Sequence, residues 1–124
     1  MTHILLVEPD RLQAESIIAA LTLKDVHVSW ARNAQTAIEI ADTHMPNIVV
    51  LELVLGAHNG VEFLYEFRSY NEWSHIPVTV FSMQRVNDVG LFKKLGVQAC
   101  LYKPATTLAQ LFSEVAGLRY VATP

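Results

Sequence analysis

Four polar residues at the ends of apolar runs are the best candidates for chemistry in this chain. The segments HILLVE, IVVLE, VTVFS and QACLYK end on Glu8, Glu52, Ser82 and Lys103. A carboxylate at the carboxyl end of a buried parallel strand lies where open α/β sheets form their ligand crevice. If the four side chains meet there, two acids and one lysine leave a single net negative charge, which such a pocket could tolerate without a metal ion.

The runs that precede these residues have the composition of β-strands. Residues 48–51 form an unbroken aliphatic run, as a central parallel strand needs when both of its faces are covered. Val26, Val28 and Trp30 alternate with polar residues, as in a half-exposed edge strand. Apolar residues also recur at helical spacing in four segments, which predicts four helices. These apolar stripes are Ala14, Ile17, Ile18 and Leu21; Ala34, Ala37, Ile38 and Ala41; Phe63, Leu64 and Phe67; and Leu108, Leu111, Phe112 and Val115. A further short helix is expected from about Asn87 to Leu95.

Five strands therefore alternate with five helices. This alternation predicts one α/β domain with a doubly wound, five-stranded parallel sheet and right-handed crossovers. We assign residues 1–118 to this domain and residues 119–124 to a tail or the start of a linker. Because the carboxyl ends of parallel strands lie at one edge of the sheet, the four polar strand ends should converge.

The composition narrows the class of protein. The 124 residues suffice for one domain, and a hydrophobic fraction of 52% with a charged fraction of 17% fits a sheet buried on both faces. The net charge is −3 and the longest basic run is Lys93-Lys94, which argues against nucleic-acid binding by this domain alone. No apolar run approaches the roughly 20 residues of a membrane span. The single cysteine, Cys100, excludes an internal disulfide and favours a reducing, cytoplasmic location.

Other candidate residues have ordinary structural interpretations. Asp10 is expected to cap the first helix rather than bind metal, with Gln13 at N3 in a near capping box. Cys100 is expected to be a small buried hydrophobe, and Trp30 and Trp73 to pack at an edge strand and a helix end. The five histidines show no ligand spacing, and we interpret all of them as structural or solvent-facing: His3, His27, His44, His58 and His75.

Over essentially its whole length the chain resembles the receiver domain of bacterial two-component response regulators, the CheY-like family. The matching segments are ILLVEPD, LELVLGAHNG, IPVTVFS and YKP, in that order along the chain. The resemblance implies a flavodoxin-like (α/β)5 fold with strand order 2-1-3-4-5. It also implies a cis bond between Lys103 and Pro104.

The resemblance further implies a role for each residue of the expected pocket. Glu52 stands at the phosphoacceptor position, and Glu8 and Pro9 stand at the acid pair that binds Mg²⁺ in the family. Ser82 and Lys103 take the places of the residues that contact the phosphoryl oxygens. We expect Glu52 and Lys103 to lie within salt-bridge reach, with Ser82 lining the same pocket.

Two departures from the family pattern weaken the implied metal site. Glu52 replaces the acceptor Asp and extends its carboxylate by one C–C bond, about 1.5 Å. Pro9 replaces an acid and offers no side-chain oxygen. Since Mg²⁺ requires near-ideal octahedral oxygen ligands, a site formed by Glu8, Glu52 and Val54 is expected to be weak or absent.

Three further departures surround the same position. Met83 follows Ser82 where the family usually has a small residue, and it would crowd a phosphodonor. Gly56 replaces a usual proline, and Cys100 occupies the place of the aromatic residue that usually reports phosphorylation. The five departures together indicate a disabled phosphoacceptor.

The leading hypothesis is therefore a pseudo-receiver, a non-enzymatic signalling module that acts by protein–protein interaction without phosphorylation and without a cofactor. Its expected partners are another protein or an attached output domain, with a sensor kinase and a second copy of the chain as further candidates. The alternative is a functional receiver that catalyses its own Mg²⁺-dependent phosphorylation at an unusual acid, Glu52 or Asp10. A small-molecule pocket is disfavoured because no glycine-rich phosphate loop follows the first strand.

Overall fold

Five parallel strands form the central sheet of this α/β domain. The computed structural model describes the backbone of residues 1–122 and the side chains of residues 1–118. The sheet strands are β1 (Thr2–Val7), β2 (Val26–Ala31), β3 (Ile48–Leu51), β6 (Val78–Ser82) and β7 (Val97–Tyr102). A short antiparallel hairpin, β4 (Val54–Leu55) and β5 (His58–Asn59), follows the central strand. The observed order β2-β1-β3-β6-β7 is the predicted 2-1-3-4-5 order once the hairpin strands are left out of the count.

Four α-helices connect the strands of the sheet and a fifth follows the last strand, as the spacing of apolar residues predicted. They are α1 (Arg11–Leu21), α2 (Ala34–Thr43), α3 (Gly60–Ser69), α4 (Val89–Lys94) and α5 (Leu108–Ala122). Helix α5 continues to Ala122, so part of the segment interpreted as a tail, residues 119–122, is helical. Residues 123–124 lie outside the described part of the chain, and the division after residue 118 stays a prediction. Within the described residues, no helix combines the length and apolar character needed to cross a membrane.

Alternation along the strands divides the core into two layers. On β1, Leu5 and Val7 face a layer built with α2, α3 and α4, whereas Ile4 and Leu6 face a layer built with α1 and α5. All four of these side chains are at most 2% exposed, as expected for a strand buried on both faces. The predicted α5 stripe is shifted at its start, because Leu108 is exposed whereas Leu118, one turn beyond Val115, is buried.

The predicted cis bond between Lys103 and Pro104 is wrong. No peptide bond in the described residues is cis. Pro104 lies in a short 3₁₀ turn, Lys103–Ala105, which Thr106 closes by donating its N–H to the Lys103 carbonyl. A proline in the first turn of a helical segment loses no hydrogen bond and has a suitable φ, and the trans isomer is intrinsically the more stable one. The cis expectation came from the family resemblance alone.

Arg68, at the end of α3, joins two loops at the amino-terminal edge of the sheet. Its guanidinium group donates hydrogen bonds to the carbonyl groups of Trp73, Ile76 and Leu95. Burial lowers the pKa of Arg68. Gly96, with a φ of 77°, lies against this side chain, and a Cβ there would come within 2.5 Å of Arg68 Nη2. Arg68 thus satisfies carbonyl groups that the ends of the loops would otherwise leave unpaired.

Gly60 begins α3 directly beneath the central strand end. Its N–H donates to the Leu53 carbonyl at 2.7 Å. A Cβ at this position would lie 2.8 Å from Leu53 Cα and 3.0 Å from the Glu52 carbonyl oxygen, both of them backbone atoms. The close approach of α3 to the residues around Glu52 therefore requires glycine.

We predict that Gly60→Ala lowers the free energy of unfolding by about 1–2 kcal/mol. Overpacking costs about 1–3 kcal/mol, and the higher helix propensity of alanine offsets up to about 1 kcal/mol of this cost. Urea denaturation followed by circular dichroism measures the change. Gly117→Ala is the matched control, since a Cβ at Gly117 has no atom within 4 Å and should be neutral or stabilising. Equal or higher stability of Gly60→Ala would contradict the steric explanation.

Candidate functional site

Strand register brings the four predicted residues to one edge of the sheet. Val7 of β1 is paired with Leu51 of β3, so Glu8 and Glu52 leave neighbouring strands at the same level. Ser82, the last residue of β6, is paired with Tyr102 of β7, and Lys103 follows immediately. The carboxyl ends of four strands therefore carry the acids, the hydroxyl group and the amine, as predicted.

The Lys103 ammonium group lies between the two acids. Its Nζ donates to Glu8 Oε1 at 2.5 Å, to Glu52 Oε1 at 2.8 Å and to Gln13 Oε1 at 2.6 Å. The side chains of Lys103, Glu8 and Glu52 are only 7%, 2% and 4% exposed. The predicted Glu52–Lys103 ion pair is thus confirmed, and a second ion pair to Glu8 accompanies it.

The carboxylate of Glu52 is saturated with hydrogen bonds. Oε1 accepts from Lys103 Nζ and from the Met83 N–H at 3.1 Å. Oε2 accepts from the Ser82 hydroxyl group and from the Val54 N–H at 3.0 Å. Two donors at each oxygen leave the group little capacity for further ligands.

These bonds determine the charge state of Glu52. Burial opposes ionisation and would by itself raise the pKa of this carboxyl group. The hydrogen bonds from Lys103, Ser82, Val54 and Met83 outweigh burial, and the pKa of Glu52 is lowered below the ordinary glutamate value. Glu52 is therefore an anion at neutral pH.

Asp10 and Gln13 connect the start of α1 to the pocket. Asp10 caps the helix by accepting from the Leu12 N–H at 3.0 Å, as predicted, and its own N–H donates to Glu8 Oε2. The capping-box role expected for Gln13 is wrong. Its amide nitrogen donates to Asp10 Oδ2 and its amide oxygen accepts from Lys103, so Gln13 belongs to the pocket. Its position at N3, above the strand ends, was the one signal that could have indicated this.

Trp30 is a second residue that sequence reasoning did not assign to the site. Its indole N–H donates to the Glu8 carbonyl oxygen at 2.8 Å. The guanidinium carbon of Arg32 lies 5.3 Å from the centre of the Trp30 ring. Trp30 lies on the edge strand β2, beside β1, and so holds the backbone on which Glu8 is presented.

The oxygen atoms expected to bind a metal ion already have other partners. Glu8 and Glu52 share the Lys103 ammonium group, and their remaining oxygens accept backbone N–H groups. Val54 is beside Glu52 as predicted, but Pro9 adds no side-chain oxygen. No group of three His, Cys, Asp or Glu residues among those described could hold a metal ion. The donor set does not fit Mg²⁺, because the carboxylate oxygens that would bind the ion are held by Lys103 and by backbone N–H groups.

The other three departures from the family pattern lie around this pocket or behind it. Met83 is 52% exposed beside the pocket, and its backbone N–H donates a hydrogen bond to Glu52. Gly56 forms the β4–β5 turn with a φ of 70°. Cys100 is half-buried against the layer that contains α4, and burial raises the pKa of its thiol. A raised pKa is typical of a small buried hydrophobe and not of a nucleophile.

Comparison with known proteins agrees with this geometry. Residues 4–116 match the family described as the response regulator receiver domain. The KDP operon transcriptional regulatory protein KdpE of Escherichia coli (strain K12) is 32% identical over 82 residues, which cover 66% of this chain. The chain matches only 35% of the length of KdpE.

Solved structures resemble the whole domain. The Mn²⁺-bound response regulator Rcp1 is 26% identical with a TM-score of 0.77, covering 96% of this chain and 92% of Rcp1. The phosphorylated cyanobacterial phytochrome response regulator RcpA is 28% identical with a TM-score of 0.76, covering 95% and 91%. A response regulator from Clostridium difficile has a TM-score of 0.86 over 100% of both chains, and at 19% identity it shows the fold alone.

The family match covers the sheet, the helices and all four strand-end residues. The structure brings those residues together at the edge of the sheet where the family resemblance predicted the pocket. This chain therefore belongs to the response regulator receiver domain family, the receiving modules of two-component signal transduction.

Proposed function

We propose that this receiver domain works as a pseudo-receiver, a protein-interaction module that does not depend on phosphorylation. The observation that carries the proposal is the saturated carboxylate of Glu52. In the family, a hydroxyl residue and a lysine contact the phosphoryl oxygens. Here Ser82 and Lys103 instead bind the carboxylate of Glu52, which thus acts as a built-in partial mimic of the phosphoryl group.

Charge supports the same interpretation. Glu8, Glu52 and Lys103 together carry one net negative charge, and the buried ammonium group contacts both carboxylates. A divalent cation bound here would have to displace Lys103 or approach within a few ångströms of it, at a substantial electrostatic cost. We infer that the domain binds Mg²⁺ weakly or not at all and has no enzymatic activity of its own.

The partners follow from the family and remain proposals. KdpE is a transcriptional regulatory protein much longer than the matched region, so a comparable output domain, or a separate protein, is the expected partner here. A sensor kinase and a second copy of the chain are further candidates. We place the protein in the cytoplasm, where two-component receivers operate, and assign no nucleic-acid contact to this domain itself.

The second candidate function is a working phosphoacceptor. It is favoured by Rcp1 and RcpA, since the first of these relatives is described in a Mn²⁺-bound form and the second in a phosphorylated form. Ser82 and Lys103 would serve that chemistry too. For this function, Glu52 would have to give up its four hydrogen bonds, bind the metal ion and form a covalent bond to the phosphoryl group.

We predict that Lys103→Ala destabilises the domain by about 3 kcal/mol, because removing one partner of a buried ion pair leaves its charge uncompensated. The two buried acids would then face each other without a cation. Chemical denaturation at pH 7 measures the loss. Lys24→Ala, at an exposed lysine between α1 and β2, is the control and should change stability by less than about 0.5 kcal/mol. Adding Glu52→Gln to Lys103→Ala should recover part of the loss, and wild-type stability of Lys103→Ala would contradict the proposal.

We also predict that the wild-type domain binds Mg²⁺ poorly and forms no adduct with acetyl phosphate or beryllofluoride. The reason is steric as well as electrostatic, because a misplacement of about 1 Å can cost roughly a hundredfold in rate. Mg²⁺ titration by NMR and intact mass spectrometry after incubation with acetyl phosphate are the measurements. Tight Mg²⁺ binding or a stable adduct on the wild type would promote the phosphoacceptor hypothesis.

The same measurements can be made on a variant designed to restore phosphorylation. Pro9→Asp, Glu52→Asp and Met83→Ala together should restore a metal ligand, the acceptor position and the access of the donor. The triple variant is expected to bind Mg²⁺ and beryllofluoride. The matched control keeps Pro9 and carries only Glu52→Asp and Met83→Ala, and it should bind far less Mg²⁺ since it lacks the added carboxylate.

We further predict that any self-association through the face formed by α4, β7 and α5 is independent of phosphorylation. Cys100 lies on β7 in place of the usual aromatic reporter, and Arg85 is already stacked 4.2 Å above the Tyr102 ring. Sedimentation of the wild type should give the same mass with and without Mg²⁺ and beryllofluoride. A change of assembly state on adding the analogue would indicate a working switch.

A further inference from the structure

Three histidines form a stack at the amino-terminal edge of the sheet, at the end of β1 opposite to Glu8. The ring centre of His3 lies 4.0 Å from that of His44 and 5.5 Å from that of His27, and the planes of neighbouring rings are tilted by at most 24°. His3 belongs to β1 and is 2% exposed, whereas His27 on β2 and His44 at the C-cap of α2 are exposed. The histidine stack (His3, His27 and His44) therefore joins the edge strand and α2 to β1.

Hydrogen bonds determine the protonation state of the central ring. His3 Nδ1 lies 3.4 Å from the Met45 carbonyl oxygen, which can only accept, so Nδ1 carries the proton. His3 Nε2 then accepts from the Ser29 hydroxyl group at 2.7 Å. Ser29 Oγ in turn lies 3.3 Å from His27 Nε2 and can accept a hydrogen bond from it. Every polar atom along this chain is satisfied with His3 neutral.

The surroundings of His3 stabilise a cation only weakly. The titratable groups that face it are His27 from β2 and His44 from α2, and the groups that favour the charged ring are the neutral backbone carbonyls of Met45 and His44. Among the described residues, no Asp or Glu forms a salt bridge with any of the three rings. Burial, followed by the two neighbouring histidines, lowers the pKa of His3 below its ordinary value.

We propose that the histidine stack is an acid-sensitive latch that releases the edge strand β2 and the C-terminal end of α2 from β1. A solvent proton that binds Nε2 of His3 turns this atom from an acceptor into a donor, so the Ser29 hydroxyl group loses the acceptor of its own proton. The imidazolium at His3 is then buried with no carboxylate paired to it. This inference concerns the opposite edge of the sheet and is independent of the state of the Lys103 pocket.

The histidine stack has the geometry for protons rather than for a metal ion. Both ring nitrogens of His3 already have hydrogen-bond partners, the Met45 carbonyl oxygen and the Ser29 hydroxyl group, and His27 Nε2 contacts the same hydroxyl group. A tetrahedral zinc site needs free lone pairs that converge on the metal ion. No three-residue metal group was found among the described residues, in agreement with this view.

The sign of the pH effect follows from linkage. Because the pKa of His3 is lowered in the folded state, the unfolded chain binds more protons once the pH falls below about 6.5, and stability decreases. If His3 stays neutral while folded, the unfolding equilibrium constant should rise about tenfold between pH 7.5 and pH 5.5. The pKa of Glu52 is lowered, so Glu52 contributes stability that is lost only at still lower pH, outside this window.

The test compares urea unfolding at pH 7.5 and pH 5.5 for the wild type, His3→Phe and His75→Gln. His3→Phe keeps an aromatic ring in the stack but cannot be protonated, so most of the tenfold change should disappear. His75→Gln removes an exposed histidine in the loop before β6 and should retain the full change. An equal pH response in wild type and His3→Phe would overturn the proposal.

Two measurements on the wild type keep the test independent of how well His3→Phe folds. Ring-proton NMR should give a pKa for His3 below the ordinary histidine value of about 6.5, and a value at or above it would overturn the proposal. Hydrogen exchange, corrected for intrinsic rates, should show the loss of protection at pH 5.5 concentrated in β2 and the end of α2. Loss spread evenly over β2 and β7 would overturn the local release of the edge strand.

Discussion

One buried ammonium group holds the carboxyl-terminal edge of this domain together. Lys103 leaves β7, the last strand, and its Nζ contacts Glu8 after β1, Glu52 after β3 and Gln13 on α1. Two carboxylates that are almost completely buried would repel each other strongly without it. The strand register, the first turn of α1 and the turn after β7 must therefore all be in place before either acid is compensated.

Glu52 has two consequences that arise from the same extra methylene group. The longer side chain moves the carboxylate away from the position that an aspartate would give it, and this displacement is one basis of the proposed pseudo-receiver function. It also carries the carboxylate into contact with Ser82 and Lys103, the residues that would contact a phosphoryl group in the family. In the proposed function, the loss of phosphorylation and the internal mimic of the phosphoryl group therefore share one cause, the length of the Glu52 side chain.

Strand β1 separates two polar clusters of opposite character. Glu8, after its end, belongs to a cluster that is stable because opposite charges meet. His3, near its start, belongs to a cluster whose hydrogen bonds are satisfied when the buried His3 ring is neutral. Ile4 to Val7 between them are fully apolar and nearly inaccessible, so neither cluster has direct contact with solvent along the strand.

The sequence by itself determined the sheet, the alternation with helices and the meeting of Glu8, Glu52, Ser82 and Lys103. These follow from local patterns, namely apolar runs, helical spacing and polar strand ends, combined with the rule that parallel strands end at one edge. The Asp10 cap was predictable for the same reason, since capping depends on residues within one turn. The strand order and the mistaken cis bond both came from family resemblance. A resemblance predicts the features that most members of a family share, and it does not determine the backbone conformation of this particular chain.

Only the tertiary structure decided which side chains complete the two clusters. Gln13 reaches Lys103 across 90 residues of sequence, Trp30 reaches the Glu8 carbonyl across 22, and His3 reaches Met45 across 42. None of the three has a distinctive local pattern: Gln13 fits an ordinary helix start, and His3, His27 and His44 lack the spacing of metal ligands. Their contacts arise because strand pairing and helix packing bring distant segments within hydrogen-bond distance, and no short stretch of sequence contains that information.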